Sequence, residues 1–421
     1  METSPGAGSQ GQGDRLTVRT VAVPGPVDLI GQLPGPDALA WVRSGDGLVG
    51  WGETARVVLP AGEDRFTAGE KWLRALFEGA DVEDQVGEPG CGPVAFGSFT
   101  FDGAGDGSVL VVPATVVGQR HGRAWVTTIS PAADAGPAPV RPSAPAEVRW
   151  HDGSLGPPEW EHAVASAVRW IKQGRLRKVV LARDLYAHAS DDIDTRVLLH
   201  RLAGRYPSCY TFACAGLVGA TPELLISRRD ADIRSLVLAG TAPRGHDAAQ
   251  DAALAAGLLS SAKDAEEHSY VVAGVRAALA ARCSRLSVDT RPSLVRLANV
   301  QHLGTHVTGQ LASTGDAFDH SVLALVAALH PTGAVCGTPA ETAMEVIREL
   351  EGMDRGRYAG PVGWVDAGGN GEWGIALRCA EVEGPWARLF AGCGIVAGSD
   401  PVAELAEAQA KFHPMKCAIE G

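Results

Sequence analysis

Ala391-Gly392-Cys393-Gly394-Ile395-Val396-Ala397-Gly398-Ser399-Asp400-Pro401 is preceded by Leu389-Phe390 and followed by Glu404, Glu407 and Lys411. An apolar run enters a glycine loop, and a helix begins at once, with Asp400 as N-cap and Pro401 at the first helical position. Glu404, Glu407, Ala408 and Lys411 recur at i, i+3, i+4 and i+7, which puts both carboxylates and the lysine on one helix face. Free backbone N–H groups beside two carboxylates and a cation suit an anionic substrate held through a metal. A dinucleotide fingerprint fits poorly, because the third glycine comes one residue late and the acidic residue due about 20 positions on falls at the chain end. Taken alone, the segment also reads as a capped surface helix with solvated charges.

A second stretch gives it a partner. Ser261-Ala262-Lys263-Asp264-Ala265-Glu266-Glu267-His268 opens a helical pattern over 261–281, with Asp264, Glu267 and His268 on one face. Two helices that each offer carboxylates match magnesium, a hard ion that prefers oxygen and is usually held by one or two carboxylates plus the substrate's own anion. Zinc is disfavoured, since no Cys-x-x-Cys or His-Glu-x-x-His spacing occurs. His268 reads as a structural neighbour of Glu267 rather than a ligand.

Composition sets the bounds. The 421 residues, 45% of them hydrophobic, can build one large domain or two. A net charge of −12 argues against nucleic acid and anionic membranes as partners, so an anionic substrate needs a locally positive site. Eight cysteines are scattered without a paired framework. Residues 1–14 form a Gly, Ser and Gln rich tail without signal-peptide character, and no run of about 18 apolar residues could span a membrane. The expected location is cytoplasmic. Lysine occurs only at 71, 172, 178, 263, 411 and 416. A lysine inside a motif of so arginine-biased a chain stands out, because lysine can give up its proton and arginine effectively cannot. Lys178 heads Lys178-Val179-Val180-Leu181-Ala182-Arg183, a buried-strand pattern, and is either a strand-end lysine in water or a desolvated base.

Residues 15–150 read as a β-rich amino-terminal part, with strands over 41–49 and 94–102 and an Ala/Pro-rich loop at 131–147. Residues 151–421 read as the catalytic region. Its helices are expected at 159–171, 194–204, 261–281, 316–329 and 341–350, and its strands at 178–186, up to 238, and at 361–366, 373–380 and 386–392. Regular βα alternation and repeats are lacking. The expected class is α+β: large, mainly antiparallel sheets with helices packed on their outer faces.

Several further residues could carry chemistry. Glu223, in Thr221-Pro222-Glu223-Leu224-Leu225, is an exposed turn glutamate or an acid with a raised pKa in apolar company. Leu238-Ala239-Gly240-Thr241-Ala242-Pro243 reads as a small-residue loop able to grip a carboxylate, or as an ordinary turn. His302 sits beside Leu303-Gly304, as satisfied core histidines often do. His330-Pro331-Thr332-Gly333-Ala334-Val335-Cys336-Gly337 is an irregular loop that could wall a pocket. Arg378 lies within a strand pattern, where a buried guanidinium needs an anion, and Tyr358 could assist it.

In this order, Lys-Val-Val-Leu-Ala-Arg, Thr-Pro-Glu-Leu, Leu-Ala-Gly-Thr, Lys-Asp-x-x-Glu-His, Gln-His-Leu and Gly-x-Gly-Ile-Val resemble the chorismate-utilising enzyme family. That family comprises isochorismate synthases, salicylate synthases and the large subunits of anthranilate and aminodeoxychorismate synthases. The resemblance is strong over 155–417 and thin before it, where Gly92-Pro93-Val94-Ala95-Phe96-Gly97 carries it. It implies that Glu267 and Glu407 ligate Mg2+, with Asp264 and Glu404 as outer carboxylates. It further implies that Lys178 activates water for attack at C2 of chorismate and that Glu223 protonates the departing 4-hydroxyl. Arg378, Tyr358, Gly392 and Gly394 resemble holders of the enolpyruvyl carboxylate, and Gly240 and Thr241 part of the ring-carboxylate site. His302, Ala334 and Lys411 complete the implied substrate pocket. The ending Lys411-Phe412-His413-Pro414 departs from the family pattern and puts the end of the last helix in doubt.

Lysine at 178 marks the water-using branch, and alanine at 334 marks isochorismate synthases, where lyase-competent members tend to have threonine. The implied activity is that of an isomerase, isochorismate synthase, with salicylate synthase as the alternative and a non-catalytic carboxylate-binding protein as the reading from another class. The expected partner is chorismate alone, without an amidotransferase subunit, in a monomer or weak homodimer. The product's destination, menaquinone or a siderophore, is set by neighbouring enzymes.

Overall fold

The computed structural model describes residues 15–132, 139–298, 300–313 and 321–421. The tail at 1–14, part of the Ala/Pro-rich loop and the start of the helix expected at 316–329 lie outside the described residues.

Two large sheets dominate. The larger has 13 strands, running from Val148–Asp152 through Lys178–Ala189, Trp386–Ile395, Cys379–Glu383, Leu217–Thr221 and Tyr210–Cys214 into the amino-terminal strands. The smaller has 10 and includes Val300–Leu311, Asp232–Pro243, Leu224–Arg229, Gly371–Ile375, Pro361–Asp366 and Val94–Ser98. Among the described pairings, Thr17–Val23 with Asp81–Asp84 is parallel and the others are antiparallel. Each sheet draws strands from both the amino-terminal part and the rest of the chain. Buried aromatic side chains fill the space between them. Trp41 of the larger sheet stacks on Tyr210 and donates its indole N–H to Glu372 of the smaller one at 3.0 Å. Helices Pro157–Lys172, Thr195–Arg205 and Pro401–Glu420 cover the larger sheet, while Ala262–Ala280 and Val322–Leu329 cover the smaller. The α+β class read from the sequence is the observed one. Among the described residues no helix is long and apolar enough to cross a membrane.

Both site-bearing helices start as their sequences dictate. Ser261 caps Ala262–Ala280 by accepting from the Asp264 N–H, and Asp400 caps Pro401–Glu420 by accepting from the Ala403 N–H at 2.9 Å. Pro414 does not end the last helix, which continues to Glu420. His268 is buried and bonds Ala239 O and the Thr305 hydroxyl through its two ring nitrogens, pinning its helix to the smaller sheet.

Five local expectations need correction. The strand expected over 41–49 is a hairpin of two strands, Leu39–Arg43 and Asp46–Trp51, turning at Ser44-Gly45. The strand expected over 373–380 is two strands, Gly371–Ile375 and Cys379–Glu383, in different sheets. Arg378 is therefore not inside a strand: it stands in the link between sheets with a left-handed φ of 50°. Ala391–Ile395 is strand rather than loop, and Gly392 and Gly394 pair with Ala182 and Val180. Leu238–Pro243 is likewise strand, with a register shift between Ala239 and Thr241 that leaves Gly240 in a bulge at φ +80°. The helix Ala248–Ser260 had no counterpart in the sequence reading.

Removing the last helix's cap tests this account of how it is positioned. Asp400→Ala should destabilise the protein by about 1 kcal/mol, seen as a lower urea midpoint, and Asp400→Asn should keep most of that stability. An unchanged midpoint in the alanine variant would contradict it.

Candidate active site

Two of the chain's passages from one sheet to the other lie side by side. Pro222 and Glu223 link Leu217–Thr221 to Leu224–Arg229, and 376–378 link Gly371–Ile375 to Cys379–Glu383. Backbone bonds join the two links, Ala220 N to Arg378 O at 3.2 Å and Ile375 N to Glu223 O at 3.3 Å. A cavity of about 240 Å³ lies against them. Fourteen of the fifteen residues singled out from the sequence line it: Glu223, Gly240, Thr241, Asp264, Glu267, His302, Ala334, Tyr358, Arg378, Gly392, Gly394, Glu404, Glu407 and Lys411. The fifteenth, Lys178, is just behind the wall, 1% exposed, with Nζ 2.8 Å from Glu267 Oε1. Lys263, Val335 and Arg355 also line the cavity and were missed. Lys263 lay in a quoted motif and is one of only six lysines, a signal that could have flagged it.

Each lysine here faces a carboxylate. Besides the Lys178–Glu267 pair, Lys411 Nζ is 2.6 Å from Glu407 Oε1 and donates to Gly392 O at 2.8 Å. Lys263 Nζ is 4.0 Å from Glu404 Oε1 across the mouth. Burial works against the Lys411 charge, but the ion pair with Glu407 opposes this, and its pKa is held above the ordinary lysine value. Burial raises the Glu407 carboxyl, yet the charge and hydrogen bond of Lys411, with Arg378, outweigh it and hold that carboxyl below its usual range. Glu404 is raised, chiefly by burial.

Glu223 stands apart. It is buried rather than an exposed turn residue, and burial pushes its pKa up to about 8 against the opposing pull of Lys178 and Arg378. At neutral pH it carries its proton. His302 is the converse: burial, with Arg378 and Lys411 nearby, lowers it to about 3, so the ring is neutral. Its Nδ1 meets the Thr241 hydroxyl at 3.0 Å, while its Nε2 is buried without a partner among the described residues. It is therefore not the satisfied core histidine that its context allowed. Arg378 is partly exposed rather than buried, and among the described residues no carboxylate lies within ion-pair distance of it. Tyr358 stacks flat on Phe390, ring centroids 4.9 Å apart at 7°.

The donor set can be tested against a divalent cation. Ligand atoms of Cys393, Glu404 and Glu407 lie within 4.8 Å of one another, and Asp264 and Glu267 face the same cavity from the other helix. The Cys393 thiol donates to Glu404 O, and burial raises its pKa, so it stays neutral. What remains is a set of carboxylate oxygens, which suits a hard ion such as magnesium.

A family described as chorismate binding enzyme matches residues 133–420. Isochorismate synthase DhbC of Bacillus subtilis is 43% identical over 272 residues, covering 62% of this chain and 67% of its own. The salicylate biosynthesis isochorismate synthase of Pseudomonas aeruginosa is 37% identical, covering 85% of this chain and 80% of its own. The crystal structure of a 2,3-dihydroxybenzoate-specific isochorismate synthase from Bacillus anthracis superposes with a TM-score of 0.77 at 33% identity, covering 93% of this chain and 98% of that one.

A strand glycine explains how Glu267 and Lys178 can come so close to the Trp386–Ile395 strand. A Cβ on Gly394 would stand 2.8 Å from Glu267 Oε1 and 3.1 Å from Lys178 Cε. Gly394→Ala should therefore break the Lys178–Glu267 contact and cost about 10²-fold in turnover, the scale of a 1 Å misplacement, with little change in unfolding temperature. Near-normal turnover would show that this close approach is not needed.

Proposed function

This chain belongs to the chorismate-binding enzymes and isomerises chorismate to isochorismate, and we propose that its cavity does so by adding water at C2 while the 4-hydroxyl departs. The observation that carries the proposal is a buried lysine and a buried, protonated glutamic acid beside one cavity. The reaction takes one proton from the incoming water and gives one to the leaving hydroxyl, so it needs a base and an acid at once. Two separate groups at one cavity can divide those duties, one taking a proton while the other gives one. Lys178 is the base and Glu223 the acid. The hydroxyl lost at C4 balances the one gained at C2, so the net change is an isomerisation.

The other residues hold the substrate. Arg378, which has no carboxylate within ion-pair distance among the described residues, receives the enolpyruvyl carboxylate with Tyr358, Lys411 and the Gly392–Gly394 strand. Gly240 and Thr241 serve the ring carboxylate. The unpartnered Nε2 of His302 is left to bond a polar group of the substrate. Enzymes of this kind are generally magnesium-dependent, and Glu267 and Glu407, with Asp264 and Glu404 beside them, would hold the ion and let it supply positive charge to a substrate carboxylate. Water as nucleophile requires no ammonia-delivering subunit. Ala334 offers no hydroxyl to orient the enolpyruvyl group, which favours release of isochorismate over its further breakdown to salicylate.

Two measurements bear on the proton carriers. Lys178→Ala should lower kcat by about 10²–10⁴ and Lys178→Arg should not restore it, because a guanidinium cannot give up its proton. Near-normal turnover by the arginine variant would remove Lys178 as base. For Glu223 the sign follows from its raised pKa: the acid form is present below about pH 8 and lost above it. Turnover should fall on the alkaline side of that value, and Glu223→Gln should abolish the limb along with most activity. A wild-type profile flat to pH 9 would contradict the assignment.

A further inference from the structure

Glu351 and Arg355 form an ion pair that is 2% and 3% exposed, at the end of helix Ala340–Leu350. A buried pair of this kind costs desolvation and is not by itself a source of stability, so its bonds are the informative part. Arg355 donates through Nη1 to Val335 O at 2.8 Å, through Nη2 to Val180 O at 2.8 Å and through Nε to Glu351 Oε2 at 2.9 Å. Glu351 Oε1 accepts from the Ala182 N–H at 2.7 Å. The guanidinium lies over the Phe101 ring, 4.2 Å from its centroid, and the Arg355 carbonyl accepts from the Tyr358 N–H. One buried fork thus joins three segments: the strand two residues beyond Lys178, the loop one residue beyond Ala334, and the turn that presents Tyr358.

We propose that the Glu351–Arg355 pair is a positioning clamp that holds the loop of Ala334 in register with the strand of Lys178 and the turn of Tyr358, and so keeps the isomerase from acting as a lyase. The inference rests on the reading of the cavity given above. In the lyase step the ring C3–O bond breaks as the C2 hydrogen passes to the enolpyruvyl methylene carbon, giving salicylate and pyruvate from isochorismate with no other reactant. The step depends on where the enolpyruvyl group rests relative to the ring, and Ala334 and Tyr358 both line the cavity that sets this. The arginine fork sets the spacing of the Ala334 loop from the Lys178 strand through the Val335 and Val180 carbonyl oxygens, and its own carbonyl holds the Tyr358 N–H, whereas a lysine, a single point charge, cannot bond both carbonyls with the same geometry.

Arg355→Lys and Glu351→Gln test the clamp, the second as the milder change should the first not fold. With chorismate and magnesium, isochorismate is measured by chromatography and pyruvate by a coupled dehydrogenase, and each is referred to folded protein. The clamp predicts a kcat lower by about 10²-fold, KM within about threefold of wild type, and a pyruvate-to-isochorismate ratio raised at least about tenfold. An unchanged product ratio, with activity lost only in step with folded protein, would overturn it and leave a merely structural pair. A rise in KM alone in Arg355→Lys, with Glu351→Gln silent, would also overturn it and make Arg355 a substrate ligand. If wild type forms no isochorismate, the reading beneath the inference fails and the inference with it.

Discussion

The two adjacent sheet-to-sheet links are the constraint on which the site depends. An antiparallel sheet satisfies its backbone by pairing, and a chain that leaves one sheet for another must break that pairing for a few residues. Here it does so twice in the same place, at Pro222–Glu223 and at 376–378, and the links bond to each other across the gap. The residues freed from pairing, Glu223 and Arg378, are aimed into the cavity. The left-handed φ of Arg378 costs of order 1 kcal/mol for a residue with a Cβ, a strain of the kind that collects at functional sites.

Charge is the second organising feature. A chain with net charge −12 must bind a dianion, and it does so by concentrating three of its six lysines around one cavity, each against a glutamate. The glutamates keep the lysines in place without substrate, and the lysines keep the carboxylates from repelling one another. Glu223 stands outside these pairs, and its burial keeps it protonated against the pull of Lys178 and Arg378. Environment rather than residue type thus divides the acid from the carboxylates that bind charge.

Much of this was legible in the sequence because it is encoded locally. The caps at Ser261 and Asp400, and the helical spacing of Asp264–Glu267 and of Glu404–Glu407–Lys411, depend on neighbours within one or two turns. Glycine misled where its reason was tertiary. Gly392 and Gly394 look like a loop in sequence, but they are strand residues kept small by Tyr358, Glu267 and Lys178 pressing from other elements. Gly240 is a bulge facing Asp264 for a similar reason. The break at Arg378 was hidden because Ile375–Ala380 is apolar on both sides of it, and apolar runs do not reveal which sheet a strand joins. Glu351 and Arg355 look like an ordinary i, i+4 surface pair; only the packing of three distant segments buries them.

The claim that water enters at C2 while the 4-hydroxyl leaves is tested most directly by turnover in H2(18)O with magnesium, followed by mass analysis of the product. The account predicts isochorismate carrying one heavy oxygen, located at C2, with little pyruvate released. Isochorismate without the label, or salicylate as the main product, would contradict it.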